Sequence, residues 1–210
     1  GDQRQIIRGN VAVDEGYTGD GVRVGMIDAY HPEKTYYGSN IVHANTSVKA
    51  THNHASAVAD ILFAMAPECT IYSFAVGSIS TKSINEARDW LRALVGKIQY
   101  LINTHNVDVI NMSFGIHNLK YSDFEETVRI LDETITNSST VICIAAGNPD
   151  QKYEQTQTNT NMNILGYAPN AITVGAVISS GTDMTAKGAY IFSSGSLYKQ
   201  EVECISKPDI

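Results

Sequence analysis

Five short runs of β-branched and aliphatic residues, at 22–27, 70–76, 107–112, 140–145 and 171–177, punctuate this chain, and longer stretches with apolar residues at helical spacing separate them. A strand exposed on one face alternates polar with apolar residues, whereas these runs are apolar at nearly every position and suit strands buried on both faces. Such strands need helices to cover them. The alternation therefore predicts an α/β fold with a mostly parallel sheet and right-handed crossovers.

The helical stretches carry their own punctuation. Ser83 and Glu86 have the spacing of a capping box, and Ile84, Ala87, Trp90, Leu91, Leu94, Val95, Ile98, Leu101 and Ile102 follow as one apolar stripe, read as core. Ser122 with Glu125 predicts a second box, opening a helix that carries Phe124, Val128, Leu131 and Ile135. A third helix runs from His54 to about Met65, where Ala66-Pro67 stops it. The polar tract 149–166, rich in Gln, Asn and Thr, reads as a surface loop.

With 210 residues, 43% of them hydrophobic and 18% charged, the chain suits one domain with a substantial core. A formal net charge of -7 without a Lys/Arg cluster argues against nucleic acid or an anionic membrane surface as partner. No apolar stretch is long enough for a membrane span. Gly1-Asp2-Gln3-Arg4 has no signal pattern, which leaves open a leader already removed. Cys69, Cys143 and Cys204 are odd in number and widely spaced, with no metal-ligand pattern, and are expected to be buried thiols.

In a parallel sheet, ligands bind beyond the carboxyl ends of the strands, and Asp28, Ser113 and Asn148 each fall at such an end. With His54 they supply an acid, a base and an amide donor, the groups acyl transfer needs. Each has a plainer reading: Asp28 as a strand-end cap, Asn148 as a turn residue after Gly147, Ser113 as a strand end. A nucleotide-binding reading is disfavoured because Gly19-x-Gly21 precedes a strand instead of following one.

Eight segments, in order, resemble the subtilisin-like serine proteases. The segment Tyr17-Thr18-Gly19-Asp20-Gly21 through Met26-Ile27-Asp28 resembles the one ending in the family's catalytic aspartate, and His54-Ala55-Ser56-Ala57-Val58-Ala59 the start of its histidine helix. Ala66-Pro67-Glu68-Cys69-Thr70-Ile71-Tyr72 resembles the next strand entry, Val109-Ile110-Asn111-Met112-Ser113-Phe114-Gly115 the strand flanking bound peptide, and Ala145-Ala146-Gly147-Asn148 the oxyanion segment. Ala168-Pro169-Asn170 through Gly175-Ala176, Phe192-Ser193-Ser194-Gly195 and Lys207-Pro208-Asp209-Ile210 are similar to later landmarks, the last lying just before the family's serine motif.

The resemblance implies a subtilisin-like three-layer sandwich, with residues 1–210 forming a peptidase domain whose C-terminal part is missing. It implies a serine endopeptidase using an Asp/His/Ser triad on peptide or protein substrates in extended conformation. Asp28 would orient His54, His54 would act as general base, and Asn148 would donate to the oxyanion. The backbone of Ser113, Phe114 and Gly115 would pair with substrate. Val58 and Ala59 stand in family register when counted from His54 and not from His52. His52, His31, His43, His105 and His117 are thus expected in exposed or loop positions.

Where the family has a small hydroxyl residue and glycines, this chain has Ala29, Tyr30, Ala55 and Asp60. Many members bind calcium in a loop inserted in the histidine helix. Here Ile61-Leu62-Phe63-Ala64-Met65 continues straight into Ala66-Pro67, so no calcium and no other cofactor is expected. Ser193, Ser194 and Ser196 precede the Lys207 landmark, so none is in register as nucleophile, and the chain alone is expected to be inactive. The family also implies a secreted or cell-envelope location. The alternative is a catalytically dead relative that binds peptides or regulates. A core lacking its last elements would expose an apolar face and favour self-association.

Overall fold

The computed structural model describes residues 8–33, 38–48, 51–78, 83–116, 119–148, 162–179, 186–189, 196–199 and 204–207. The Phe192 to Gly195 segment, Pro208-Asp209-Ile210, His117 and most of the polar tract lie outside them. Six strands, β1 (Arg23–Asp28), β2 (Ile41–His43), β3 (Thr70–Ala75), β4 (Val109–Met112), β5 (Val141–Ala145) and β6 (Ile172–Val174), form one sheet in the order β2-β3-β1-β4-β5-β6. The pairs β1/β3, β2/β3 and β5/β6 all run parallel, as the apolar runs predict. Helices α1 (Gly9–Asp14), α2 (Asn53–Met65), α3 (Ile84–His105) and α4 (Glu125–Thr136) are interspersed along the chain. Four further strands, β7 (Val177–Ser179), β8 (Ala186–Ala189), β9 (Ser196–Lys199) and β10 (Cys204–Lys207), make two separate two-stranded ribbons.

The chain divides into two compact units. The first comprises Gly1–Ser80, Lys97–Asn111 and Ser179–Lys187. Its centre is β1, buried at every position after Arg23 and paired over its whole length with β3, from Arg23 opposite Thr70 to Asp28 opposite Ala75. Val24 and Met26 pack with Ile71, Ile41, Cys69 and the Ala55, Val58 and Ala59 face of α2. A Cβ on Gly25 would stand 3.0 Å from Ile110 Cγ1 and 3.2 Å from Leu101 Cδ1, so α3 packs directly on the β1 backbone there. At the start of β1, the Arg23 amide donates to Asp108 Oδ2 at 2.8 Å and the Arg23 carbonyl accepts from the Asp108 amide at 2.8 Å.

The second unit comprises Thr81–Gly96, Met112–Ile178 and Gly188–Ile210. Ser83 caps α3 as predicted, its hydroxyl accepting from the Glu86 amide at 3.2 Å, and Ala87, Leu91, Leu94 and Val95 are buried, whereas Ile84, in the first position of the helix, is exposed and lies outside the core. The second predicted box does not form. Ser122 lies in the 3-10 turn Tyr121–Asp123, and α4 begins at Glu125 with Phe124 in the N-cap position and no side-chain cap. Arg88 explains the difference: its Nε donates to the Asp123 carbonyl at 2.6 Å and its guanidinium lies 5.9 Å from the centre of the buried Phe124 ring. Burying Phe124 together with Val128, Leu131 and Ile135 sets this start of α4.

Burial pushes the Cys69 thiol up, a backbone hydrogen bond offsetting part of this, and burial pushes the Cys143 thiol up as well. Raised thiol values leave little thiolate near neutrality. Cys69, wholly buried, should therefore resist iodoacetamide in the native protein at neutral pH and react after unfolding, read by mass spectrometry of the peptide that contains it. Gly25→Ala should cost about 1–3 kcal/mol in a denaturant titration, because Ile110 and Leu101 must move aside. An unchanged midpoint would mean that β1 and α3 are not in this contact.

Candidate active site

The last residue of β1 and the second residue of α2 meet in the first unit. His54 Nδ1 lies 2.9 Å from Asp28 Oδ2. The other carboxylate oxygen accepts from the Ala29 amide at 2.7 Å, so both oxygens of Asp28 have fixed partners. Their exposures differ sharply: the Asp28 side chain is 4% exposed and the His54 side chain 52%. An ionised carboxylate can only accept, so the neutral imidazole facing it carries its proton on Nδ1 and offers Nε2 as a base. Such an arrangement can abstract a proton at Nε2 while the buried carboxylate stabilises the imidazolium.

Local structure fixes both partners. Full-length pairing of β1 with β3 places Asp28, and beyond it the Val76 amide donates to the Asp28 carbonyl and the Gly77 amide to the Ala29 carbonyl. His54 is set by the start of α2, where His52 is the N-cap and its Nδ1 accepts from the His54 amide at 3.1 Å. His52 is exposed as expected, but its capping role carries no sequence signal, since Ser, Thr, Asp and Asn are the usual caps.

Two departures from the family pattern sit quietly here. Ala55 is fully buried in the core beneath α2. The Tyr30 ring stacks on His52 with centroids 5.4 Å apart, and its hydroxyl pairs with Ser78 Oγ at 2.5 Å. Neither disturbs the Asp28 to His54 contact.

The expectation that the other histidines are exposed or in loops needs correcting at His43, the last residue of β2, and His105, the last residue of α3, both only partly exposed. His31 meets it by position but not by exposure. It lies in a loop segment yet is 1% exposed, with Nδ1 2.9 Å from Ser73 Oγ and Nε2 3.1 Å from the Asn45 carbonyl oxygen, and its ring stacks on His43 at 3.9 Å. Polar partners on β3 and in the loop after β2 make this burial tolerable. Asn45 also clamps the end of β3, exchanging two hydrogen bonds of 2.9 Å with the Ala75 backbone.

The remaining predicted residues belong to the second unit. Ser113, Phe114 and Gly115 follow β4 and are partly exposed, and the Trp90 ring meets Phe114 edge-on at 6.1 Å. Trp90 is thus half-buried support for this segment, where the sequence reads only core. Asn148 is exposed and follows Gly147 beyond β5. Sequence reasoning missed Asn163, which is wholly buried and donates through Nδ2 to the Phe114 and Ala145 carbonyls, both at 3.0 Å. It stands in a polar tract where nothing separates it from a loop asparagine. Among the described residues, no group of three or more His, Cys, Asp or Glu side chains is placed to hold a metal ion.

The sequence model of the subtilase family matches residues 24–210. No curated protein sequence matches the chain. Among solved structures, a lanthipeptide protease is similar at 12% identity and TM-score 0.63, over 92% of this chain and 58% of its own. The serine protease MycP1, described as an essential component of the type VII (ESX-1) secretion system, is similar at 18% identity and TM-score 0.62, over 92% of this chain and 62% of its own. MycP3 protease of the ESX-3 system gives 17% identity and TM-score 0.59, over 92% and 63%. The chain therefore spans between 58% and 63% of the length of these three structures, and the likeness is one of fold. Since the family match covers most of the residues, the chain belongs to the subtilase family.

Proposed function

We propose that this chain carries the acid and base of a serine endopeptidase of the subtilisin type, acting on peptide or protein substrates in extended conformation. One observation bears most of the weight: the 2.9 Å contact between a buried Asp28 carboxylate and the Nδ1 of a half-exposed His54, in a member of the subtilase family. His54 takes the proton of the nucleophilic serine and returns it to the leaving amine, and Asp28 holds the imidazole in the required tautomer. Asn148 donates its side-chain amide to the developing oxyanion, and the backbone of Ser113, Phe114 and Gly115 pairs with substrate as an added strand. These last roles are supported by sequence register and family membership.

Among the described residues no helix is long and apolar enough to cross a membrane. A place outside the cytoplasm, in the envelope or secreted, is supported by the likeness to secretion-system proteases.

The protein expressed from its complete reading frame should react with a fluorophosphonate probe at a serine. Failure to label any serine would favour the non-catalytic, peptide-binding reading. In that protein, His54→Ala should lower kcat by on the order of 10⁴-fold or more. Asn148→Ala should lower kcat by about 10²- to 10³-fold with little change in KM, as expected for a donor engaged in the transition state.

A further inference from the structure

The Asn163 carboxamide makes three hydrogen bonds, all to the backbone of the second unit and none to the acid or base. Its Nδ2 spends both protons on carbonyls of two different segments, Phe114 after β4 and Ala145 at the end of β5, each at 3.0 Å. Its Oδ1 accepts from the Leu165 amide at 3.4 Å, and its own amide donates to the Ala146 carbonyl at 2.8 Å. The neighbouring Ile164 amide donates to the Ile116 carbonyl at 3.3 Å. The side chain is wholly buried, and a Cβ on Gly115 would fall 2.5 Å from Asn163 Cγ. One amide thus bolts together the segment read as the substrate edge and the strand end that leads to Asn148.

From this we infer that Asn163 is a positioning residue for peptide hydrolysis: it sets the spacing between the 113–115 edge, where an extended peptide pairs, and the 145–148 segment, which presents the Asn148 amide. The inference rests on the proposed endopeptidase reading. Backbone geometry supplies the reason a carboxamide is needed. In an extended segment successive carbonyls face opposite sides, so anchoring the Phe114 carbonyl inward on Asn163 turns the Ser113 and Gly115 carbonyls the other way, toward an added strand. A carboxamide can donate two hydrogen bonds to two carbonyls while accepting one, whereas an isosteric carboxylate would place lone pairs against both carbonyl oxygens. Glycine at 115 is required because the amide occupies the space its Cβ would take.

The test uses Asn163→Ala and Asn163→Asp in the protein expressed from its complete reading frame, with two independent readouts. The first is hydrogen exchange. Peptides covering 113–116 and 144–148 should exchange at least about tenfold faster in Asn163→Ala, while the α2 peptide covering 53–65 is unchanged. The second is kinetics, comparing an internally quenched octapeptide with a fluorophosphonate that makes no strand pairing. Asn163→Ala should lose about 10- to 100-fold in kcat/KM on the octapeptide, through KM at the pairing edge and through kcat at the Asn148 donor, whereas the fluorophosphonate, which uses only the donor, should lose clearly less in labelling rate, with the pH profile unmoved. Asn163→Asp should lose more than Asn163→Ala despite its closer shape.

Exchange that rises throughout the protein, or at only one of the two segments, would overturn the inference, as would equal losses on octapeptide and fluorophosphonate. Failure of the endopeptidase reading is separately visible, as an unsubstituted protein that neither labels nor cleaves. The exchange experiment still decides the coupling in that case.

Discussion

Six residues of β1, paired over their full length with β3, set the position on which the chemistry depends. A parallel pair in this register admits no slip, because a shift of one residue would turn Val24 and Met26 out of the core they share with Ile71 and the α2 face. Asp28 is the last residue of that run, so its carboxylate is placed by hydrophobic burial several residues upstream. The same core seats Ala55, Val58 and Ala59, fixing the face that α2 buries and hence the direction in which His54 leaves its first turn. Acid and base are held to one distance because two elements pack on one apolar cluster.

The two members of that pair are placed in different media. A carboxylate with 4% exposure and fixed partners on both oxygens is a rigid, poorly screened charge, whereas an imidazole with 52% exposure can still reach substrate and solvent. In the second unit, backbone carbonyls and amides are oriented by a buried carboxamide rather than by further charges. On the proposed reading these segments receive a peptide backbone, and neutral groups suit that task because they present unchanged dipoles while the reacting charge develops elsewhere.

Much of this could be read from the chain where local signals and burial agree. The His54 helix ends at Met65 because Ala66-Pro67 cannot continue it, and the β1 run is buried at every position after Arg23, as its apolar character predicts, whereas β3 and β5 alternate buried with less buried positions despite equally apolar runs. Sequence and structure part where tertiary contacts outweigh local ones. Ser122 and Glu125 have the spacing of a cap, but Arg88 takes the Asp123 carbonyl and Phe124 is buried, so the helix starts later. Strand β2 spans only Ile41–His43, too short to show a period. His31 and Asn163 look like loop residues because their burial is made by partners more than ten positions away. Asp28, His54 and Asn148 are assigned by register within a family pattern, and the structure joins the first two by a hydrogen bond.

The claim at the centre is that the buried Asp28 carboxylate holds His54 with its proton on Nδ1. Nitrogen-15 NMR of the imidazoles at mildly alkaline pH tests it directly, because the two ring nitrogens of a neutral histidine give distinct shifts in each tautomer. The His54 ring should be predominantly the Nδ1-protonated form and should shift toward the Nε2-protonated form in Asp28→Asn. A His54 ring already in the Nε2-protonated form, and indifferent to Asp28→Asn, would contradict the assignment of these two residues as a catalytic pair.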